Sequence, residues 1–167
     1  MEQMPFDEID AFAAEARRFR EWVLREIEPT SRGARGALVR ITRLYLAALS
    51  LPAAWSDELE NQPDARGLAD EEVRRATAAC ARLPLDYYGV VSDPLPTPPE
   101  NPGIGSLVDD IADIYRDVVG GLVEYEDGRR ARAVWEWRFN FDHHWGEHAV
   151  NAIRVLHCWL VQQEPDS

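Results

Sequence analysis

The chain has 167 residues, a formal net charge of -12 at pH 7 and a 46% share of hydrophobic residues. This length and apolar share predict a single globular domain with a core of its own, rather than a disordered or fibrous chain. The strong negative charge disfavours binding to nucleic acids and to anionic membranes, because both carry charge of the same sign.

Cysteine usage and the N-terminus indicate the compartment. Cys80 and Cys158 are far apart, match no metal or redox motif and sit among apolar residues, so we expect both to be reduced and buried. The acidic N-terminus lacks the apolar stretch of a secretory signal. No run approaches the roughly 18 apolar residues of a membrane span. We therefore expect a soluble, cytoplasmic protein of bacterial type.

Apolar residues recur at spacings of three and four along most of the chain, which predicts amphipathic α-helices. We expect an all-α fold: one bundle of about six helices, forming a single domain over residues 1–167. The predicted helices cover approximately 6–28, 35–51, 70–83, 106–125, 129–143 and, after a break at Gly146, the stretch up to 163. TSRGARG between the first two helices is expected to form a turn, and no segment shows strand periodicity.

Turn and capping signals mark several boundaries. Asp70 is a suitable N-cap for the third helix, and Ser106 begins the capping pattern S-x-x-D for the fourth. Residues 53–69 and 93–105 are predicted to be loops; the second holds five prolines and two glycines. Because each half of the chain offers only about three helices, we expect both halves to share one core. The Pro-rich loop is a candidate contact for a protein partner.

The fifth predicted helix is aromatic on most sides, which is typical of a helix at the centre of a bundle. We expect Trp135, Trp137, Phe141 and Trp145 to be largely buried, with one of the first two at an edge.

An acidic stripe follows the fourth predicted helix. Asp110, Asp113 and Asp117 fall along one edge of it, and Glu124 continues the stripe. Because carboxylates in successive turns repel one another, solvent, arginine or a metal ion must compensate them. Arg138, amid aromatic residues, needs a fixed acceptor. We expect it to pair with Asp113 or Asp117; Asp142, four residues on, is also within reach.

All four histidines lie in the last 25 residues. His144 and His148 have the i, i+4 spacing that places two metal ligands on one helix face, although packed or half-exposed histidines are the alternative. Further ligands would come from Asp110, Asp113 or Glu136. A second pattern, an arginine five or six residues before a histidine, joins Arg138 to His143 or His144. Helical ribonucleases of the HEPN type carry this spacing, in which His transfers protons and Arg stabilises phosphate charge.

Two segments carry a family resemblance: SLVDDIADIYRDVVGGLVEYEDG and AVWEWRFNFDHHWGEHAVNAIRVLH, with LPLDYYGVVSDP upstream. They resemble a bacterial family known only as domain of unknown function 5063. The resemblance covers most of residues 35–160, and WEWRF…HWGEH is its most specific part. It implies a helical fold and a small cytoplasmic protein, but no activity and no catalytic residues.

Three functional hypotheses follow. The leading one is a protein-interaction or regulatory module, with a protein partner or a second copy of the chain, because the sequence has no nucleophile elbow, phosphate loop or strong metal motif. The second is a metal-binding protein or hydrolase that uses the aspartate stripe with His144 and His148. The third is a HEPN-like ribonuclease. No cofactor is predicted beyond the divalent metal of the second hypothesis.

Overall fold

The computed structural model describes residues 6–53, 64–91, 93–98 and 102–163. It is predominantly helical, as the periodicity predicts, with one small sheet in the described part. The elements in chain order are α1 (Phe6–Arg25), α2 (Ser31–Leu49), α3 (Asp70–Cys80), β1 (Tyr87–Val91), β2 (Pro102–Ser106), α4 (Leu107–Glu126), α5 (Arg130–Asn140), a π-helical segment (Phe141–Trp145) and α6 (Gly146–Gln163). None of the helices in these ranges is long and apolar enough to cross a bilayer.

The last three elements follow one another without interruption, so the described residues form five continuous helical rods rather than six separate helices. The expected break at Gly146 is wrong. A Cβ at this position would lie 2.3 Å from the carbonyl oxygen of Phe141. Glycine therefore continues the helix by letting the wide π turn close against that carbonyl, rather than ending it.

The second helix begins earlier than the sequence predicts. Thr30 caps it by accepting a hydrogen bond from the backbone nitrogen of Gly33 at 3.2 Å. TSRGARG is therefore the first part of α2 and not a turn. Gly33 makes this possible, because a Cβ there would lie 1.9 Å from the carbonyl oxygen of Glu28. The linker between α1 and α2 can consequently pass very close to the start of α2.

The sequence predicts an N-cap for α3 and another for α4, and only the second is confirmed. Ser106 caps α4 as predicted, accepting a hydrogen bond from the backbone nitrogen of Asp109 at 3.1 Å. Asp70, by contrast, lies within the first turn of α3, and Ala69 occupies the cap position without a side-chain hydrogen bond. Asp70 still carries negative charge at the positive end of that helix, which is favourable.

A β-hairpin, which the periodicity did not predict, joins the two halves of the chain. β1 and β2 pair antiparallel, with Tyr87 opposite Ser106 and Val91 opposite Pro102. The sequence YYGVV is rich in strand-forming residues, but five residues are too few to show alternation. The end of the predicted 93–105 loop is therefore strand β2. Residues 54–63 and 99–101 of the predicted loops, together with residue 92, lie outside the described residues.

One cluster of buried apolar side chains draws on every helix. α4 is at its centre: it packs against α1, α3, α5 and α6 and is buried along most of its length. The expectation that the fifth helix is central is therefore wrong. α5 buries Ala133, Val134 and Trp137, whereas Phe139 on its other side is exposed.

The aromatic side chains follow the sequence prediction closely. Trp137, Phe141 and Trp145 are buried. Trp135 is half-buried at the edge and stacks on Phe139, with 4.8 Å between ring centroids. We call the continuous helix over residues 130–163 the C-terminal rod. Buried aromatic rings hold its inner side against the core, whereas its outer side faces solvent.

The two cysteines have different environments. Cys80 is buried, as predicted, and burial raises the pKa of its thiol to about 12. Cys158 is exposed, contrary to expectation. It lies two residues from both Leu156 and Leu160, which are buried, and two residues turn a helix by about 200°.

The contact between α4 and α5 can be tested at two adjacent glycines. The indole nitrogen of Trp137 donates a hydrogen bond to the Val118 carbonyl at 2.8 Å, and a Cβ at Gly121 would lie 2.3 Å from that nitrogen. We expect Gly121→Ala to lower the free energy of unfolding by about 1–3 kcal/mol through overpacking. Urea denaturation measures the change.

Gly120→Ala is the matched control, because a Cβ there meets nothing within 4 Å. Alanine also favours helix over glycine, so this variant should be unchanged or more stable by up to about 1 kcal/mol. Equal losses at both positions would contradict the described contact.

Candidate functional site

The aspartates of α4 face the histidines of the C-terminal rod. Asp110, Asp113 and Asp117 lie three and four residues apart, on one side of α4. The rod runs antiparallel to α4, so His144 comes level with Asp117, and His148 with Asp110. The structure therefore brings together five of the predicted site residues.

His148 is held by a carboxylate that is itself fixed. Its Nδ1 lies 2.7 Å from Oδ1 of Asp110. The other oxygen of Asp110 accepts a hydrogen bond from the hydroxyl of Tyr88. Because a carboxylate only accepts hydrogen bonds, Nδ1 of His148 carries the proton. Its Nε2 is the atom left for a ligand.

His144 repeats this arrangement one turn away. Its Nδ1 lies 2.6 Å from Oδ2 of Asp117, and the two imidazole rings meet edge to face with 4.9 Å between centroids. Within the described residues, no hydrogen bond involves Nε2 of either histidine. The side chain of His144 is 44% exposed, so this end of the site is open to solvent.

Asp113 completes the cluster. Its Oδ1 accepts a hydrogen bond from Arg116, whereas Oδ2 lies 3.7 Å from Nε2 of His148. Asp113, His144 and His148 each offer a ligand atom, and these atoms lie within 4.8 Å of one another. Two ligand atoms about 2.1 Å from a zinc ion are roughly 3.4 Å apart at a tetrahedral angle. Small side-chain movements would therefore bring all three atoms to one ion.

Burial and hydrogen bonding shift the pKa values of the cluster. The hydrogen bond to Asp110 raises the pKa of His148, outweighing the opposite effect of burial. Burial raises the pKa of Asp117, although the hydrogen bond to His144 opposes it. Burial and Asp110 together raise the pKa of Tyr88 well above its ordinary value, so the phenol remains a hydrogen-bond donor.

The other two acidic candidates lie apart from the histidines. Glu124 is fully buried, 2.7 Å from Arg129 in a charge contact that is poorly aligned for a hydrogen bond, and it accepts one from the backbone nitrogen of Arg66. Glu136 lies 3.8 Å from Arg132, and burial raises its pKa. Both carboxylates pair with arginines near the α4–α5 turn and in α5, where they have structural partners.

Arg138 does not pair with Asp113 or Asp117. Its Nε lies 3.0 Å from Oδ2 of Asp142, the i+4 alternative, and both side chains are partly exposed. The cause is the position of Arg138 around the helix axis. Trp137 points at α4, and each following residue of an α-helix is rotated by about 100° around the axis. Arg138 is therefore level with the aspartate stripe but turned away from it.

His143 points away from the cluster as well. It is exposed and meets the ring of Phe139 edge to face, at 4.6 Å between centroids. Within the described residues, no hydrogen bond joins Arg138 to His143 or His144. The arginine and histidine of the HEPN-type spacing are thus not gathered around a common position.

Tyr88 is the site residue that sequence reasoning missed. It lies on β1, and its ring crosses β2 at Gly105, where a Cβ would lie 2.6 Å from the phenol carbon Cζ. Asp86 ties the hairpin to the start of α4 by accepting hydrogen bonds from Ser106 and Val108. The available signal was the strand-forming run YYGVV, but its partner strand PGIGS has no strand signature.

A protein-family model described as domain of unknown function (DUF5063) matches residues 3–162, so the chain belongs to that family and the sequence resemblance is confirmed. Among solved structures, the crystal structure of protein BF1032 from Bacteroides fragilis is similar, with a TM-score of 0.73 and 22% sequence identity. The similarity covers 95% of this chain and 99% of that one. At this identity it shows the shared fold. A comparison with curated proteins gives no match.

The exposed pairing of Arg138 has a measurable consequence. A partly exposed i, i+4 ion pair contributes about 0.3–0.5 kcal/mol. We expect a double-mutant cycle of Arg138→Ala and Asp142→Ala, measured by urea denaturation, to give a coupling energy of this size. A coupling of several kcal/mol would instead indicate a buried pair.

The hydrogen bond between Asp110 and His148 predicts a pH effect. The folded pKa of His148 is raised above 6.5, so the pair stabilises the fold fully below pH 6.5 and loses this contribution as pH rises through the folded pKa. An NMR pH titration in chelator should show the pKa of His148 falling in Asp110→Asn. Asp109→Asn, an exposed change of equal charge on the same helix, should move it less; an equal fall in both variants would refute the pairing.

Proposed function

We propose that this member of the DUF5063 family binds a divalent transition-metal ion through His144, His148 and Asp113. The supporting observation is that Nδ1 of His144 lies 2.6 Å from Asp117 and Nδ1 of His148 lies 2.7 Å from Asp110, so that each ring has its own aspartate as hydrogen-bond partner. Carboxylates that hold metal-ligating histidines in this way fix the ring orientation and raise the basicity of Nε2. In this proposal Asp110 and Asp117 position the histidines, and Asp113 is the third ligand.

The donor set favours particular metals. Two imidazole nitrogens and one carboxylate oxygen suit Zn²⁺, Co²⁺ or Ni²⁺, whereas Mg²⁺ and Ca²⁺ prefer oxygen ligands alone. Three protein ligands leave a coordination position open, which is typical of catalytic rather than structural zinc sites. The exposed side of His144 is where this position would face solvent. A bound ion supplies Lewis acidity to whatever occupies it, including water, so hydrolysis is the reaction class to which the proposal extends.

The interaction-module hypothesis remains a prediction, with a separate observation in its support. The region predicted to contact a partner exposes large apolar side chains: Leu95 is 86% exposed and Ile104 is 82% exposed. Tyr87, opposite the end of β2, is 78% exposed. We retain a protein partner or a second copy of the chain, and a cytoplasmic location, as parts of this proposal.

Metal binding can be measured directly. After treatment with chelator and its removal, the protein should bind about one Zn²⁺ per chain in isothermal titration calorimetry, and Co²⁺ should give the visible absorption of a tetrahedral site. His148→Ala should abolish this binding. Asp110→Asn, which keeps all three ligands, should weaken it by about 10–100-fold.

His157→Ala is the matched control, because His157 is exposed on the same rod and distant in sequence from the cluster. It should bind Zn²⁺ as the parent does. Equal losses in His157→Ala and His148→Ala would indicate adventitious surface binding, and a folded parent that binds no Zn²⁺ would refute the proposal.

A further inference from the structure

A groove on the opposite, N-terminal part of the chain has an unusual composition. It is lined by the end of α1, the linker after it, α2 as far as Arg43, and Arg82 after α3, and it has a volume of about 720 Å³. This is within the range of small-molecule sites, roughly 300–1,000 Å³. A third of the chain's arginines line it: Arg25, Arg32, Arg35, Arg40, Arg43 and Arg82. We call it the basic groove; its lining includes only two carboxylates, Glu26 and Glu28.

The arginines of the basic groove differ in pairing from the others. Ten of the twelve arginines elsewhere form ion pairs with carboxylates of the described residues, as shown by Arg17, Arg18, Arg20, Arg66, Arg74, Arg116, Arg129, Arg130, Arg132 and Arg138. In the groove, Arg25, Arg32, Arg40, Arg43 and Arg82 form none within the same described ranges. In a chain of net charge -12, carboxylates are plentiful, so this concentration of unpaired positive charge stands out.

The start of α2 adds to the positive potential. A helix N-terminus carries partial positive charge and usually has acidic residues in its first turn. The first turn of α2 has none, and it contains Arg32 instead. Arginine at this end of a helix is locally unfavourable. A bound anion would remove the penalty, because backbone N–H groups and guanidinium groups would both face it.

The indole N–H group of Trp22 is a further hydrogen-bond donor in the basic groove. Trp22 lines the groove and is only 3% exposed, and within the described residues its indole Nε1 has no hydrogen-bond acceptor. This nitrogen lies 3.3 Å from where a Cβ would stand on Gly36, another lining residue. Glycine therefore keeps open the space in front of this N–H group, which belongs to a nearly buried side chain and is not itself among the buried polar atoms without a partner.

We propose that the basic groove binds a small molecule with two or more phosphate groups. Guanidinium groups form paired hydrogen bonds with phosphate oxygens, and several of them match more than one phosphate. The indole N–H would donate to a further oxygen, and Val39 gives apolar contact to the rest of the molecule. A nucleic acid fits less well, since the net charge of -12 repels a long phosphate backbone.

Calorimetric titration with inorganic pyrophosphate and with ADP, both in EDTA at low ionic strength, tests the proposal without any metal. Both should bind the full chain with saturation. Arg32→Glu should weaken binding by about tenfold or more, the loss of at least one charge-assisted hydrogen bond. Because glutamate is favoured in the first turn of a helix, this variant should not unfold α2, and circular dichroism checks that.

Two further variants separate the groove from general charge effects. Arg154→Glu makes the same charge change at an exposed arginine on α6 and should alter the affinity less than about twofold. Gly36→Ala keeps the charge but crowds the indole nitrogen, so it should also weaken binding, whereas Gly120→Ala should not. Saturable binding that Arg32→Glu and Gly36→Ala leave unchanged, equal effects of Arg32→Glu and Arg154→Glu, or no binding at millimolar ligand would overturn the proposal. Tighter binding of a 20-nucleotide single-stranded DNA than of ADP would overturn it in favour of a nucleic-acid surface.

Discussion

The ionisable edge of α4 is the constraint on which the rest of the structure depends. α4 is the central helix of the core, yet it carries Asp110, Asp117 and Glu124 in buried or nearly buried positions. A buried carboxylate is costly unless it is paired and hydrogen-bonded. Each of these three has such partners, and each partner belongs to a different segment: the β-hairpin and α6, the π-helical segment, and the α4–α5 turn with the loop before α3. Compensating the charges of one helix therefore fixes the positions of its neighbours.

The C-terminal rod presents an apolar group to α4 before the π-helical segment and polar groups within and after it. Upstream of it, Trp137 turns its indole toward α4 and packs against Gly121. Within and after it, His144 and His148 face the same helix with polar groups. A wide turn of this kind changes the angular register of everything that follows, and such turns often occur at functional sites. Gly146 is the local requirement for it, because only hydrogen fits beside the Phe141 carbonyl.

The helical class, the Ser106 cap and the burial of Trp137 and Trp145 could be predicted, because they depend on local periodicity and local hydrogen bonding. The spacing of Asp110, Asp113 and Asp117, and that of His144 and His148, also pointed to the residues that meet. What could not be predicted was angular or non-local. The direction of Arg138 depends on its neighbour Trp137, which is turned toward α4. The continuity of the helix through Gly146 depends on a π turn. The role of Tyr88 depends on the pairing of two strands, of which only one has a sequence signal.

Asp110 has a thermodynamic consequence of its own. Its two oxygens connect the hairpin, through Tyr88, to His148 on α6, so the free energies of ordering these two segments are coupled. Coupling between sites is reciprocal. An ion that immobilises His148 would slow amide hydrogen exchange in the hairpin. A molecule that clamps the exposed Ile104 would raise the affinity for the ion, and the ion would raise the affinity for that molecule by the same factor. A metal centre and a contact surface, which the sequence presents as rival hypotheses, would then be two ends of one cooperative unit.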